Sequence, residues 1–311
     1  MTRTVEIVLP SKHSGAVVER LQAMSGVMQV QLQPGASLTP PGDVIRLTVL
    51  GRALPQVVGW LDERGLLRGE GSSVSTQRPA SVVSSPHLRA LAHDSSEATW
   101  EEIDFMIVAE SHMSANSLVN MACSGALASI GLLTDSLHVV IAAMVVAPGF
   151  EPLSRMGLGL GCGGHGLRRG LADVLKGYLA LLAGALLAPL LMLAMDMLQL
   201  PMSGSAYLAQ GSLLSYWVSI SASSILVSLL AGVVGAIVLA THRSVLTAGV
   251  MIALALVPAA AMVSLGLVLG DPYLSAQGAK RWLLDALLVI LTSGLVFGWK
   301  RWRIHRRGIV D

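Results

Sequence analysis

Charge is the property this chain most lacks. Asp, Glu, Lys and Arg make up 13% of its 311 residues, about half the share in a soluble protein of this length. The shortage is uneven: the first hundred residues read as an ordinary soluble domain and the rest is mostly apolar, so two regions with different solvents are expected. Aromatic residues reach only 4%, too few for a base-stacking surface, and a net charge of +2 gives no electrostatic footprint, so nucleic acid is not an expected partner. The two cysteines, Cys123 and Cys162, form no CxxC spacing, which excludes a disulfide framework or a zinc site. No nucleophile elbow, phosphate-binding GK[ST] loop or HExxH occurs, so no enzyme activity, cofactor or metal is expected. Met1-Thr2-Arg3-Thr4 leads straight into an alternating strand with no apolar signal core, and the N-terminal domain is expected to stay in the cytoplasm.

What is present begins with that domain. Val5, Ile7 and Leu9 alternate as on a half-buried strand, Val17, Val18, Leu21 and Met24 fall at helical spacing, and Met28 to Leu32 alternates again. Gly35 and Pro40-Pro41-Gly42 read as breaks. Val44 to Leu50 is expected as a third strand, Leu54 to Leu67 as a second helix and Ser73 to Gln77 as a fourth strand. This order, βαββαβ over residues 1–80, predicts a small α+β domain of ferredoxin-like plan. Residues 81–114 read as a Ser/Pro/His-rich linker followed by an amphipathic helix from Trp100 to His112. The acidity of that helix argues against anionic lipid as its direct ligand.

From residue 115 to 303 the apolar runs are long enough to span a bilayer. Six are expected: Ala115–Leu133, Val139–Leu160, Tyr178–Leu198, Val218–Ala240, Val245–Leu269 and Trp282–Trp299, followed by a basic tail over residues 304–311. Arg155, Arg168, Arg169, Lys176 and Arg243 mark cytoplasmic loops, while Gln199 to Trp217 carries no charge. Both termini are therefore expected in the cytoplasm, with the chain in the inner membrane. Lys280 and Arg281 are exceptions to this count. The expected class is a membrane all-α bundle, and three spans per half admit a 3+3 inverted repeat.

Within each half the middle run carries proline: Pro148, Gly149 and Pro152 in one, Pro258 in the other. Paired interruptions of this kind point to a transport site at mid-membrane, although kinked packing helices also carry proline. Glu151 lies beside the first interruption. It is read either as a proton site facing a cavity or as an ion-pair partner of Arg155 one turn later. Asn116, Asn120, Ser117 and Ser124 form a polar stripe that either lines a path or joins helices by hydrogen bonds. Asp196 and Asp285 are expected near helix ends, with Asp285 paired to Lys280 or Arg281. His112, His138, His165 and His242 are read as interfacial, and Gly161 to Gly166 as a flexible loop.

Ala128-Ser129-Ile130-Gly131-Leu132-Leu133-Thr134-Asp135-Ser136 followed by Val140 through Pro148 resembles the core motif of the domain of unknown function 389 family. Ala248-Gly249-Val250 through Pro258 resembles its second motif. The resemblance covers Ser111 to Gly298 and implies a multi-pass prokaryotic membrane protein. Phe150-Glu151 stands where that motif carries Met-Gly, and Ala259 where it carries a second proline.

These readings lead to an expected secondary transporter or permease, regulated by its soluble domain. Its substrate site would be formed by Asn120, Ser124, Pro148, Gly149, Glu151, Pro152 and Pro258. The alternative is a membrane-anchored ligand sensor or scaffold. Expected partners are the lipid bilayer, a small molecule or ion as cargo, and a second copy of the chain.

Overall fold

The computed structural model describes residues 2–66, 71–77, 79, 82, 84–92, 94, 100–162, 165–197, 212–241 and 247–303. The chain divides into two compact units, Met1–Glu102 with Arg303–Asp311, and Ile103–Trp302. The basic tail, Arg243, His242 and most of the uncharged stretch from Gln199 onward lie outside the described residues, as do the side chains of His165 and Asp196.

In the first unit β1 (Arg3–Leu9), α1 (Ser11–Ala23), β2 (Val27–Leu38), β3 (Pro41–Val49), α2 (Leu54–Glu63) and β4 (Ser73–Gln77) follow one another. The four strands form one antiparallel sheet in the order β2-β3-β1-β4. The alternation on β1 does what a period of two requires: Val5, Ile7 and Leu9 are buried against Val17 and Leu21 of α1 and Leu54, Val57 and Leu61 of α2. The intervening Glu6 faces out and pairs with Arg46 of β3 at 2.7 Å.

Gly35 does not end β2, as its sequence suggested. The strand continues to Leu38 through an irregular register between Gln33 and Ser37. Gly35 takes φ +63° there, a conformation favoured by glycine, and its N–H donates to the Asp43 carboxylate at 2.9 Å. Ser11 and Ser14 of α1 donate to the same carboxylate, each at 2.6 Å. Asp43 therefore ties the first turn of α1 to the β2–β3 hairpin. The Ser11, Ser14 and Gly35 donors hold its carboxyl below the usual carboxylate range. A carboxylate with a depressed folded-state pKa stabilises the fold above its unfolded pKa and loses that contribution as pH falls through the lower, folded value. Protection of the β2 and β3 amides in the whole protein, measured against their intrinsic exchange rates, is expected to fall below about pH 4. Asp43→Asn is expected to exchange fast already at neutral pH; slow exchange in that variant would refute the role given to the carboxylate.

Part of the stretch read as a linker is tied down. A 3₁₀ turn at Ser85–His87 and α3 (Leu88–Ala92) lead to Asp94, whose carboxylate accepts the N–H groups of Gly51 at 2.8 Å and Arg52 at 3.4 Å.

The second unit is helical. It is entered by α4 (Trp100–Ser111) and continues with α5 (Ala115–Leu133), α6 (Leu137–Val146), α7 (Phe150–Cys162), α8 (His165–Met197), α9 (Ser212–Val218), α10 (Ala222–Ala240), α11 (Thr247–Ala253), α12 (Leu256–Leu269) and α13 (Pro272–Arg303). Among the described residues four helices are long and apolar enough to cross a membrane: Ala115–Leu133, Leu167–Met195, Ala222–Ala240 and Pro272–Trp302. The α6–α7 pair, bent by 50°, makes a fifth if counted as one span. Leu171, Leu175, Leu179, Leu186, Leu187 and Leu190 all stand exposed on α8, an apolar surface that water would not tolerate over this length.

α5 and α10 share their local chemistry. Both are 19 residues long; Ser114 caps one and Ser221 the other, accepting the N–H of Ser117 and Ser224 respectively. Each ends on a threonine whose hydroxyl donates back to an isoleucine carbonyl, Thr134 to Ile130 and Thr241 to Ile237. Gly125 of α5 packs against the Leu181 carbonyl and Ala185 of α8, and Gly232 of α10 against Val289 and Thr292 of α13. Close approach at small residues is how apolar helices associate where no hydrophobic force separates them from lipid.

The interrupted helices cross over. α7 lies on α13, with Gly157 against the Ile290 carbonyl and Ser154 3.4 Å from Ser293. α12 lies on α8, with Ser264 donating to the Leu182 carbonyl at 2.9 Å. Gly161, read as part of a loop, is helical and packs on the Gly294 carbonyl.

Candidate functional site

The interruption between α6 and α7 is made by Ala147-Pro148-Gly149. Ala147 N–H closes the last turn of α6 on Ala143, and Gly149 N–H bonds Ala147 at 2.9 Å. The interruption between α11 and α12 is Leu254-Ala255, where Ala259 N–H reaches back to the Ala255 carbonyl. Pro258 therefore does not sit in the break, as its sequence position suggested. It is the third residue of α12, as Pro152 is the third residue of α7. The first four N–H groups of a helix have no partner within it, so a ring nitrogen costs nothing there. It does prevent the carbonyl four residues earlier from being satisfied by a continuous helix. Those carbonyls belong to Pro148 and Leu254. Pro152 and Pro258 thus hold the same position in their helices, and Val257 stands in α12 where Glu151 stands in α7.

Side chains from other helices close on the first break. Gly149 is buried, and a methyl group built on it would stand 2.9 Å from the Tyr178 hydroxyl of α8 and 3.5 Å from Met251 of α11. That hydroxyl donates to the Gly149 carbonyl at 3.4 Å. Phe150, fully buried, presses on Gly235 of α10. Trp282 of α13 meets the Tyr178 ring edge-on at 4.9 Å. The last turn of α11 and the break in the first half are therefore neighbours.

Of the residues expected to form a site, Pro148 is half-buried, and Pro152 and Pro258 are buried. Glu151 is half-buried overall, but its Oε2 atom is buried and has no hydrogen-bond partner. The ion pair offered as an alternative for Glu151 does not form. Arg155 gives its guanidinium to Asp173 of α8 at 3.0 Å and to Ser111 at 3.2 Å, all three buried. The polar stripe on α5 divides. Asn120 is exposed, whereas Ser124 is buried and donates to the Ala143 carbonyl of α6 at 2.5 Å, a bond that joins helices.

A second buried network was legible only in part. Asp285, expected near a helix end, is deep within α13 and fully buried. It accepts from Arg281 at 3.2 Å and from Ser228 of α10 at 2.7 Å, and Arg281 also donates to Ser224 at 2.6 Å. The pairing of Asp285 with Arg281 was expected; the serines on α10 were not. Burial of Arg281 in this network accounts for one of the two charges that disturbed the loop count. Tyr178 and Trp282 carry no spacing signal in the sequence; only the scarcity of aromatic residues in these helices marks them. Among the described residues no group of His, Cys, Asp and Glu could hold a metal ion.

The model of a family described as a domain of unknown function (DUF389) matches residues 144–302, more than half the chain. The match begins within the first of the two motifs and contains the second. No curated protein and no solved structure matches the chain.

Proposed function

The chain belongs to the domain of unknown function 389 family, and from its own geometry we propose that it is a multi-pass inner-membrane secondary transporter or permease. The observation that carries this reading is the buried, unpartnered Glu151 oxygen beside a helix break that neighbours a second interrupted helix. Irregular backbone at membrane depth is tolerated where it is buried in protein or lines a watery cavity, and broken half-helices facing each other are the usual surroundings of a carried solute.

The proposed architecture has six spans, with α6–α7 and α11–α12 each counted as one, in two halves of three. The shared caps, the matched glycine contacts and the crossed packing of α7 on α13 and α12 on α8 support a common plan for the halves. Three spans per half require that one be inverted relative to the other. The βαββαβ order and antiparallel sheet of the first unit support a ferredoxin-like regulatory domain in the cytoplasm.

Thiol accessibility tests the reading. With Cys123 and Cys162 replaced, single cysteines at Gly149, Glu151 and Ala259 are expected to react with a membrane-impermeant maleimide in intact cells or in inverted vesicles. Protection of all three from both sides would make the interruptions packing features and remove the transport site.

A sensor role is the second reading, favoured by a polar hollow of about 250 Å³ on the sheet of the first unit, lined by Thr4, Glu6, Arg46, Ser75 and Gln77. Small-molecule sites are usually larger and more apolar, so the carrier reading is preferred.

A further inference from the structure

We propose that the junction of the interrupted helices binds a monovalent cation, either a proton or an alkali ion, on the Glu151 carboxylate. A carboxylate removed from water must be paired, protonated or neutralised by a bound ion, because the unpaired charge costs several kcal/mol. Among the described residues no basic side chain pairs with it: the backbone N–H groups of Phe150 and Glu151 at the start of α7 donate to the carboxylate, and its Oε2 is left without a partner. Arg155, one turn away, is turned to Asp173 and Ser111, and its own Nε is without a partner rather than bonded to Glu151. The other charge acting on the site is of the wrong sign for pairing, since Glu110 of α4 lies within electrostatic reach of Glu151. Tyr178, which also interacts with Glu151 across the break, brings no positive charge.

The surroundings suit a cation. α6 and α11 end at the breaks, so their last-turn carbonyls lack helical donors, and the carbonyls of Pro148 and Leu254 are denied one by the prolines that follow. Unwound carbonyls and half-helix C-termini are cation ligands in interrupted membrane helices. Trp282 packs edge-on against the same Tyr178 and directs its indole N–H toward the Tyr178 hydroxyl. Val257 holds the same position in α12, so the site is single.

This inference takes its physiological use from the carrier reading, but binding can be measured without transport. The detergent-purified full chain, weakly buffered, would be titrated with sodium, lithium or potassium chloride, and with choline chloride as a control. Infrared spectra would be taken in parallel for the carboxylic-acid C=O band. Proton release on adding an alkali salt but not choline, absent in Glu151→Gln and retained in Glu151→Asp, would show an alkali ion replacing a proton. No release, with a carboxylic-acid band that Glu151→Gln loses, would show the proton alone. Neither release nor such a band would mean an ionised carboxylate satisfied by water or protein, and would overturn the proposal. Either positive signal together with protected cysteines at Gly149 and Ala259 would keep the cation site and refute the carrier.

Discussion

Gly184→Val is expected to abolish monodisperse protein in gentle detergent, as read by size-exclusion chromatography. A Cβ at Gly184 of α8 would fall on the backbone carbonyl of Ala122 in α5, and one at Gly125 of α5 on the carbonyl of Leu181 in α8. The two backbones touch at two places, and the obstacle is main chain, which has no rotamer to yield. Overpacking against adaptable side chains costs about 1–3 kcal/mol; with backbone on both sides the helices must separate. That loses the hydrogen bond from Ser129 to the Ala185 carbonyl as well. Gly249→Ala is the matched control, since nothing lies within 4 Å of a methyl group there, and it is expected to elute as the unaltered protein does. Normal elution of Gly184→Val would mean that α5 and α8 do not approach as described.

The second large effect concerns the Arg281–Asp285 pair. Its side chains are 7% and 0% exposed, and removing one partner from a buried pair costs about 3–5 kcal/mol by leaving the other uncompensated. The two single variants should differ. Arg281→Ala leaves a carboxylate, which can take up a proton and become neutral. Asp285→Ala leaves a guanidinium, which cannot shed its charge. The expected order of thermal unfolding midpoints in detergent is Asp285→Ala lowest, Arg281→Ala next, and the doubly substituted Arg281→Met, Asp285→Leu close to the unaltered chain. A double variant as unstable as either single would show that the network contributes more than charge balance.

The sequence made the apolar spans and the alternating strands legible because both rest on periodicity, and Val5, Ile7 and Leu9 or Ala115–Leu133 needed no partner to be recognised. The extent of β2 was hidden because Gly35 signals a turn locally, while the contact that keeps the strand going comes from Asp43, eight residues later. Pro258 was placed in a break because proline marks interruption; that it sits in the first turn beyond one follows only once helix starts are known. The fate of Glu151 turned on a competition: Arg155 was the right distance along the helix, but Asp173 on α8 claimed it. Tyr178, Trp282 and the serines on α10 reach their partners across the fold, and no spacing rule carries such information.

The central claim is that two halves of one plan lie inverted across the membrane and meet at their interruptions. Ala115 and Ala222 are the first residues of α5 and α10, both exposed beside equivalent serine caps. In a chain without other cysteines, Ala115→Cys and Ala222→Cys would be labelled with an impermeant maleimide in intact cells and in inverted vesicles. The account expects Ala115→Cys to react only in inverted vesicles and Ala222→Cys only in intact cells. Reaction of both from the same side would contradict it.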